Sequence, residues 1–318
     1  MNTPTKVAVF VLGLAVVFAV ALGIGNAVGP VADEPVTHDE EHVAGGSEQE
    51  HGSGHGESAD AGPAADIPGG LMVSQDGYAF RLTEEKAQPG RQVLVAFTIE
   101  GPDGQPVTAY DVEHEKQLHL IATRRDFTGF QHVHPVLADD GTWRARLDLT
   151  PGAWRLFADF KATGGDALTL GADLAVAGDY RPEPPSLEVR TAEVDGYTVS
   201  LEGDLTAGAD AELTLSVSKD GRPVTDLEPY LGAYGHLVAL REGDLAYLHV
   251  HPDGSPGDGE TEPGPDVVFY AAVPSDGGYR LYLDFQHDGE VRTASFAVSA
   301  GEAEASDENH EEDGDHGH

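Results

Sequence analysis

Cysteine is absent from this 318-residue chain, and methionine occurs only as Met1 and Met72. The first absence excludes disulfides, thiolate metal sites, iron–sulfur clusters, cysteine nucleophiles and the His₂Cys blue-copper centre. The second leaves no thioether set for Cu(I). Basic residues are scarce: 18 Lys and Arg stand against 56 Asp and Glu, a formal charge of −38. A protein that tracks phosphate backbones presents a basic face, so nucleic-acid binding is excluded, and so is attachment to anionic lipid through a polybasic patch. What the chain has in excess is carboxylate and histidine, with 15 His.

One long apolar run is present. Residues 7–25 (VAVFVLGLAVVFAVALGIG) carry no charge, and about 20 such residues in a helix span a bilayer core. A cleavable signal peptide has a shorter apolar region, roughly 7–15 residues, and a small-residue cleavage site. Here Ala27-Val28-Gly29 is followed by Pro30, which disfavours cleavage. The run has no polar face, unlike a core helix at a protein surface. It reads as a transmembrane signal anchor over 7–29. Lys6 precedes it and no Lys or Arg follows before Arg81. The positive-inside bias therefore places residues 1–6 in the cytoplasm and the rest outside the cell membrane.

Two segments lack apolar periodicity. Residues 30–70 and 300–318 are rich in Gly, Ser, Ala and acid and read as disordered, because they cannot bury enough surface to offset their ordering entropy. They carry His38, His42, His51, His55, His310, His316 and His318, which could gather divalent cations loosely or serve merely in a solvated spacer.

The body between them is all-β. Short runs of alternating polarity, such as 78–82, 92–100, 143–149 and 153–161, are separated by Gly, Pro and Asp turns, the pattern of a sandwich or barrel. The body is also duplicated. DGQPVT at 103–108 is answered by DGRPVT at 220–225, and HVHP at 132–135 by HVHP at 249–252. Over 103–135, 13 of 33 positions are identical at this single offset of 117. The expected architecture is two tandem immunoglobulin-like or cupredoxin-like β-sandwiches over 71–179 and 194–299. A stiff Pro-rich joint at 180–193 connects them.

Each copy keeps one His, twelve residues, then His-x-His-Pro: His119, His132 and His134, then His236, His249 and His251. Residues two apart on a strand share a face. A two-residue turn at Glu242-Gly243 would pair Arg241 with Asp244 and His236 with His249, and opposed residues also share a face. A four-residue loop in copy one would keep the same parity. Three imidazoles would then converge within each copy, close enough to ligate a metal at about 2.0–2.1 Å. The expectation is one three-His site per sandwich, suited to Cu(II) or Zn. Asp159 and Asp284, on a nearby strand, are candidate acceptors that would fix the imidazole tautomers. The bland reading makes the HVHP histidines ordinary polar residues at a strand end. His114 and His287 each occur in one copy only and read as surface residues. Arg124 and Arg241 match between the copies and read as caps of turn carbonyls.

Catalytic signatures are missing: there is no G-x-S-x-G elbow, no H-E-x-x-H helix and no phosphate-binding Gly-rich loop. The strings LHLIATRRDFTGFQHVHP and GAYGHLVALREGDLAYLHVHP resemble segments of bacterial, typically actinobacterial, membrane-anchored or secreted tandem β-sandwich proteins. Those are described only as uncharacterised or as heavy-metal-binding. The resemblance implies the location, a sandwich fold and a copper link through the six histidines. It does not carry over redox relay, for want of Cys. Three readings follow. One is a divalent metal-binding protein of the envelope, for buffering, resistance or delivery. The second is a non-catalytic structural or interaction module without specific metal, whose protein partner the sequence does not name. The third is a metalloenzyme with an open His₃ site, disfavoured because no general base stands beside the site. The chain is therefore not expected to be an enzyme.

Overall fold

The computed structural model describes residues 67–184, 188–248 and 250–301. The expected anchor, most of the acidic linker, the C-terminal tail and His249 lie outside the described residues. All regular structure among the described residues is β-strand, and no helix there is long and apolar enough to cross a membrane.

The first copy runs β1 Ser74–Gln75, β2 Tyr78–Leu82, β3 Lys86–Ala87, β4 Gly90–Glu100, β5 Leu118–Arg124, β6 Gln131–Val133, β7 Val136–Leu137, β8 Trp143–Leu149, β9 Gly152–Lys161 and β10 Ala167–Val176. The second runs β11 Thr191–Val194, β12 Tyr197–Glu202, β13 Leu205–Thr206, β14 Asp210–Lys219, β15 Arg222–Pro223, β16 His236–Arg241, β17 Tyr247–Leu248, β18 Val250–Pro252, β19 Asp266–Ala272, β20 Gly277–His287 and β21 Glu290–Gly301. β11 pairs with β12 from Thr191, at the end of the Pro-rich joint.

Each copy is a two-sheet sandwich. In copy one the sheets are β1-β2-β4-β8-β7 and β3-β10-β9-β5-β6; in copy two they are β11-β12-β14-β19-β18 and β13-β21-β20-β16-β17. A short early strand runs parallel to the last strand in both copies, β3 with β10 and β13 with β21. Every other ladder is antiparallel. Of the two expected sandwich types, this order is the immunoglobulin-like one.

Alternation builds the cores. Strand β8 buries Trp143, Ala145, Leu147 and Leu149 and exposes Arg144 and Arg146 between them, so one of its faces is packed and the other wet. Strands β5, β9, β16 and β20 break this rule. Nearly every residue of β5 is buried, and both parities of β9 and β20 are buried along their centres. One parity feeds the sandwich cores: Leu118, Leu120 and Leu156 in copy one, Leu237, Leu281 and Leu283 in copy two. The other parity forms a third apolar cluster of Ile121, Phe157, Val238, Leu240, Leu245 and Tyr282, with Phe127, Phe130 and Tyr247 against it. The third cluster draws on both copies. The outer face of the β5–β9 sheet is therefore covered by the outer face of the β16–β20 sheet.

Specific contacts lock this joint. The Phe130 and Tyr282 rings stack at 3.8 Å, and the Tyr282 hydroxyl donates to the Phe127 carbonyl at 2.7 Å. Residues at the linker's end, expected to be disordered, are ordered here. Gly69 accepts from the Tyr247 amide at 2.9 Å, and Gly70 accepts from Arg155 Nη2 at 2.6 Å. Gly70 has φ +73°, and a Cβ there would stand 2.4 Å from the Phe157 ring. Only glycine fits, for reasons of both backbone and space.

A Gly70→Ala change is therefore expected to destabilise more than Gly104→Ala. Gly104 has φ +72° but no atom within 4 Å of an added Cβ, so it carries only the left-handed backbone cost of about 1–2 kcal/mol. Urea unfolding of the two variants checks this; equal losses would mean that the residues ahead of the first sandwich do not pack into the joint.

Candidate functional site: a histidine cluster between the two sandwiches

The hairpins place the imidazoles. In copy one the ladder pairs Leu120 with Val133 and Ile121 with His132. His119, Ile121, His132 and His134 therefore share a face, and it is the face turned to the other copy. Arg124 holds the turn with Nε donating to Asp126 Oδ1 at 3.1 Å and Thr128 Oγ1 at 2.7 Å. It also reaches the Pro151 carbonyl at 3.3 Å. In copy two the expected two-residue turn is wrong. The Arg241 amide donates to the Ala246 carbonyl and the register is Ala239 with Leu248, so the loop holds four residues, 242–245. Asp244 prefers this longer turn because it binds Arg241 and the Ala246 amide. This register replaces the expected pairing of Arg241 with Asp244; His249 lies outside the described residues.

The chain leaves the β16 sheet after Leu248, and β18 joins β19 in the opposite sheet, where His251 pairs with Tyr270 and is exposed. The two triplets are thus deployed differently. His119, His132 and His134 bring one ligand atom each within 4.8 Å of one another, the one such group of metal-binding side chains found among the described residues. His236 enters the same neighbourhood from copy two. Its ring stacks on His119 at 5.6 Å and lies 4.9 Å from His132. His236 and His251 also line a cavity of about 140 Å³ together with Asp159, His114 and His119.

The candidate acceptors cross between copies. His132 Nδ1 lies 2.8 Å from Asp284 Oδ2, so a carboxylate of copy two serves an imidazole of copy one. Thr293 donates to the other Asp284 oxygen at 2.5 Å. Asp159, its counterpart in copy one, sits opposite His119 in the ladder, accepts from Thr169 at 3.0 Å and faces the cavity with His236. His119, His132 and His134 of copy one gather as expected, with the carboxylate partner coming from copy two; the copy-two set includes His249, which lies outside the described residues. The sandwiches pack through equivalent faces, so each copy's carboxylate is presented to the other.

The tautomers follow from the partners. His119 Nε2 lies 3.1 Å from the Glu113 carbonyl. A carbonyl only accepts, so this nitrogen carries the proton and Nδ1 is left with its lone pair. His132 Nδ1 donates to the Asp284 carboxylate, which leaves Nε2 with its lone pair. These two lone-pair nitrogens face each other at 3.1 Å. With neutral rings nothing joins them; a proton or a metal ion between them does. His134 Nε2 and His236 Nδ1 are buried there with no hydrogen-bond partner. Burial, reinforced by the neighbouring His132, lowers His119 to about 3 and His134 to about 4. His236 is held well below its ordinary value, by burial first and then by His132 and His119. Burial raises the Asp159 carboxyl. Low-affinity-for-proton, neutral imidazoles are the form that ligates metal.

Sequence reasoning missed two neighbours. His114, read as a surface residue, is exposed but has its ring 5.6 Å from His236 and 6.2 Å from His119. Tyr230 stands 6.4 Å from His134. His287 lies away from this set, with Nδ1 2.7 Å from the Tyr197 hydroxyl and Nε2 3.1 Å from Asp226.

Fold and site together define an all-β protein of two immunoglobulin-like sandwiches, packed face to face over a shared histidine cluster. The chain belongs to the family described as Domain of unknown function (DUF8832), whose pattern matches twice, over residues 73–178 and 192–302. No curated protein matches it. Among solved structures it is similar to FdeC, an Escherichia coli adhesin, at 17% identity over 73% of this chain and 66% of that one, with a TM-score of 0.25. It is also similar to the Yersinia pseudotuberculosis adhesin InvE, at 10% identity over 72% and 60% with a TM-score of 0.21. A DUF4426 family protein from Pseudomonas aeruginosa matches 34% of this chain and 94% of its own at 11% identity, with a TM-score of 0.24. The chain spans less than two thirds of the length of either adhesin chain.

The lowered histidines set a sign for pH dependence. A histidine whose folded pKa lies below its unfolded value, about 6.5, stabilises above that value and loses its contribution as pH falls towards the folded pKa. Here three groups act in the window from about 6.5 down to about 4, against the single raised Asp159 acting oppositely. With chelator present, the urea midpoint is expected to fall between pH 7 and pH 5, and to fall less in His134→Ala. A midpoint that rises over that interval would contradict the burial of neutral imidazoles.

Proposed function

We propose that the chain is a non-catalytic binding module of the cell envelope, held at the membrane by its N-terminal anchor, whose interdomain cluster takes one divalent metal ion, Cu(II) or Zn. The observation that carries this is the pair of lone-pair nitrogens at 3.1 Å, His119 Nδ1 and His132 Nε2, whose far nitrogens are both committed to acceptors. Metal–nitrogen bonds of about 2.0–2.1 Å across that gap subtend roughly 100°, close to a tetrahedral or square-planar angle. His134 Nε2, buried and unpartnered, is the third donor. An all-imidazole set without thiolate or thioether suits Cu(II) and Zn better than Cu(I). Buffering, resistance or delivery all fit such a site, and the acidic, His-bearing tails would raise the local cation concentration.

The test uses the full chain with the seven tail histidines replaced by alanine, stripped of metal and titrated with Zn and with Cu(II). One tightly bound ion per chain is expected. His132→Ala is expected to abolish it, whereas His251→Ala retains it. Failure of the parent protein to bind either ion stoichiometrically would leave the structural or interaction module without metal as the function.

A further inference from the structure

The carboxylate that orients His132 belongs to the other sandwich. Asp284 is buried in the joint, with 2% of its surface exposed. Its partners there are His132 Nδ1 at 2.8 Å and Thr293 Oγ1 at 2.5 Å. No Lys or Arg is among its ion-pair partners in the described residues. A buried carboxylate is costly unless a positive charge or several donors meet it. Of these two partners only the His132 ring can bring positive charge to it. An ion on Nε2 of that ring polarises the Nδ1–H bond, so the bond to Asp284 strengthens when the ion is bound. A second group of copy two, His236, lies beside the same two rings, 5.6 Å from His119 and 4.9 Å from His132 between ring centres, with its Nδ1 buried and unpartnered.

We propose that the ion is a clasp: it binds on the first sandwich and fastens the second, with Asp284 as the positioning residue that transmits the coupling. The inference rests on the metal reading above and adds to it that occupancy and interdomain docking are one equilibrium. By linkage, whatever strengthens the ion's hold when the copies are docked strengthens docking equally when the ion is bound. Loss of the ion loosens the joint that covers Ile121, Phe157, Val238, Leu240 and Tyr282. The site then works as a metal-dependent latch over an apolar surface.

The experiment measures zinc affinity and amide hydrogen exchange on the full chain with alanine at the tail histidines, beside its Asp284→Asn and Asp284→Glu variants. Asparagine keeps the shape and one acceptor oxygen but removes the charge. Zinc affinity is expected to drop about 10–100-fold in Asp284→Asn, the usual effect of removing such an outer partner, with partial recovery in Asp284→Glu. Zinc is expected to slow exchange in β16 and β20 of the second sandwich as well as in β5 and β6, and Asp284→Asn to lose the effect in the second sandwich. Unchanged affinity in Asp284→Asn, or protection confined to the first sandwich, would overturn the clasp and leave metal binding intact. Absence of zinc binding by the parent protein would overturn both.

Discussion

Two imidazole nitrogens face each other across 3.1 Å with no proton of their own to share. The constraint comes from outside the pair. The Glu113 carbonyl takes one proton and Asp284 takes the other; the first is a backbone group, and the second is a buried side chain also held by Thr293. A cation between the nitrogens would resolve the conflict, and the nitrogens of His134 and His236 are likewise buried and unpartnered. The unusual feature of the structure is this set of polar groups buried in a joint between two sandwiches.

The joint itself is a balance. Burying imidazole and carboxylate between two sheets is unfavourable unless every polar atom is met. Beside the cluster lies the apolar set of Ile121, Phe157, Val238, Leu240, Leu245 and Tyr282, each of the larger side chains contributing about 1.5–3 kcal/mol when withdrawn from water. Ring stacking between Phe130 and Tyr282 and the Gly69–Gly70 contacts add specificity of position. The apolar patch holds the faces together, and the polar cluster gives the joint something to respond to.

How much of this was legible varies by level. Alternation in runs such as 143–149 reveals half-buried strands, because a sheet with one wet face must alternate. The repeat reveals two copies, and the paired HVHP strings reveal the imidazoles. Parity was legible in copy one, where the Ile121–His132 register sets His119, His132 and His134 on one face. The loop length was not: the Glu242-Gly243 turn competes with a longer one that Asp244 clamps through Arg241. A signal for the joint was present but unused. Ile121, Phe157, Val238 and Tyr282 occupy the same parity as the histidines, and a face bearing both large apolar side chains and His is not a solvent face. His114 could not have been found this way, since it lies outside any alternating run.

Sequence alone determined the strand-rich body, its duplication, the lack of thiol chemistry and the shared face of His119, His132 and His134. These depend on residue type and on short-range period, which pairing partners do not alter. Only the tertiary structure decided that Asp284 serves His132 and that His236 crosses to the first copy's cluster. Those are relations between residues more than 100 positions apart. They are set by which outer face covers which, a choice made by the packing of whole sheets.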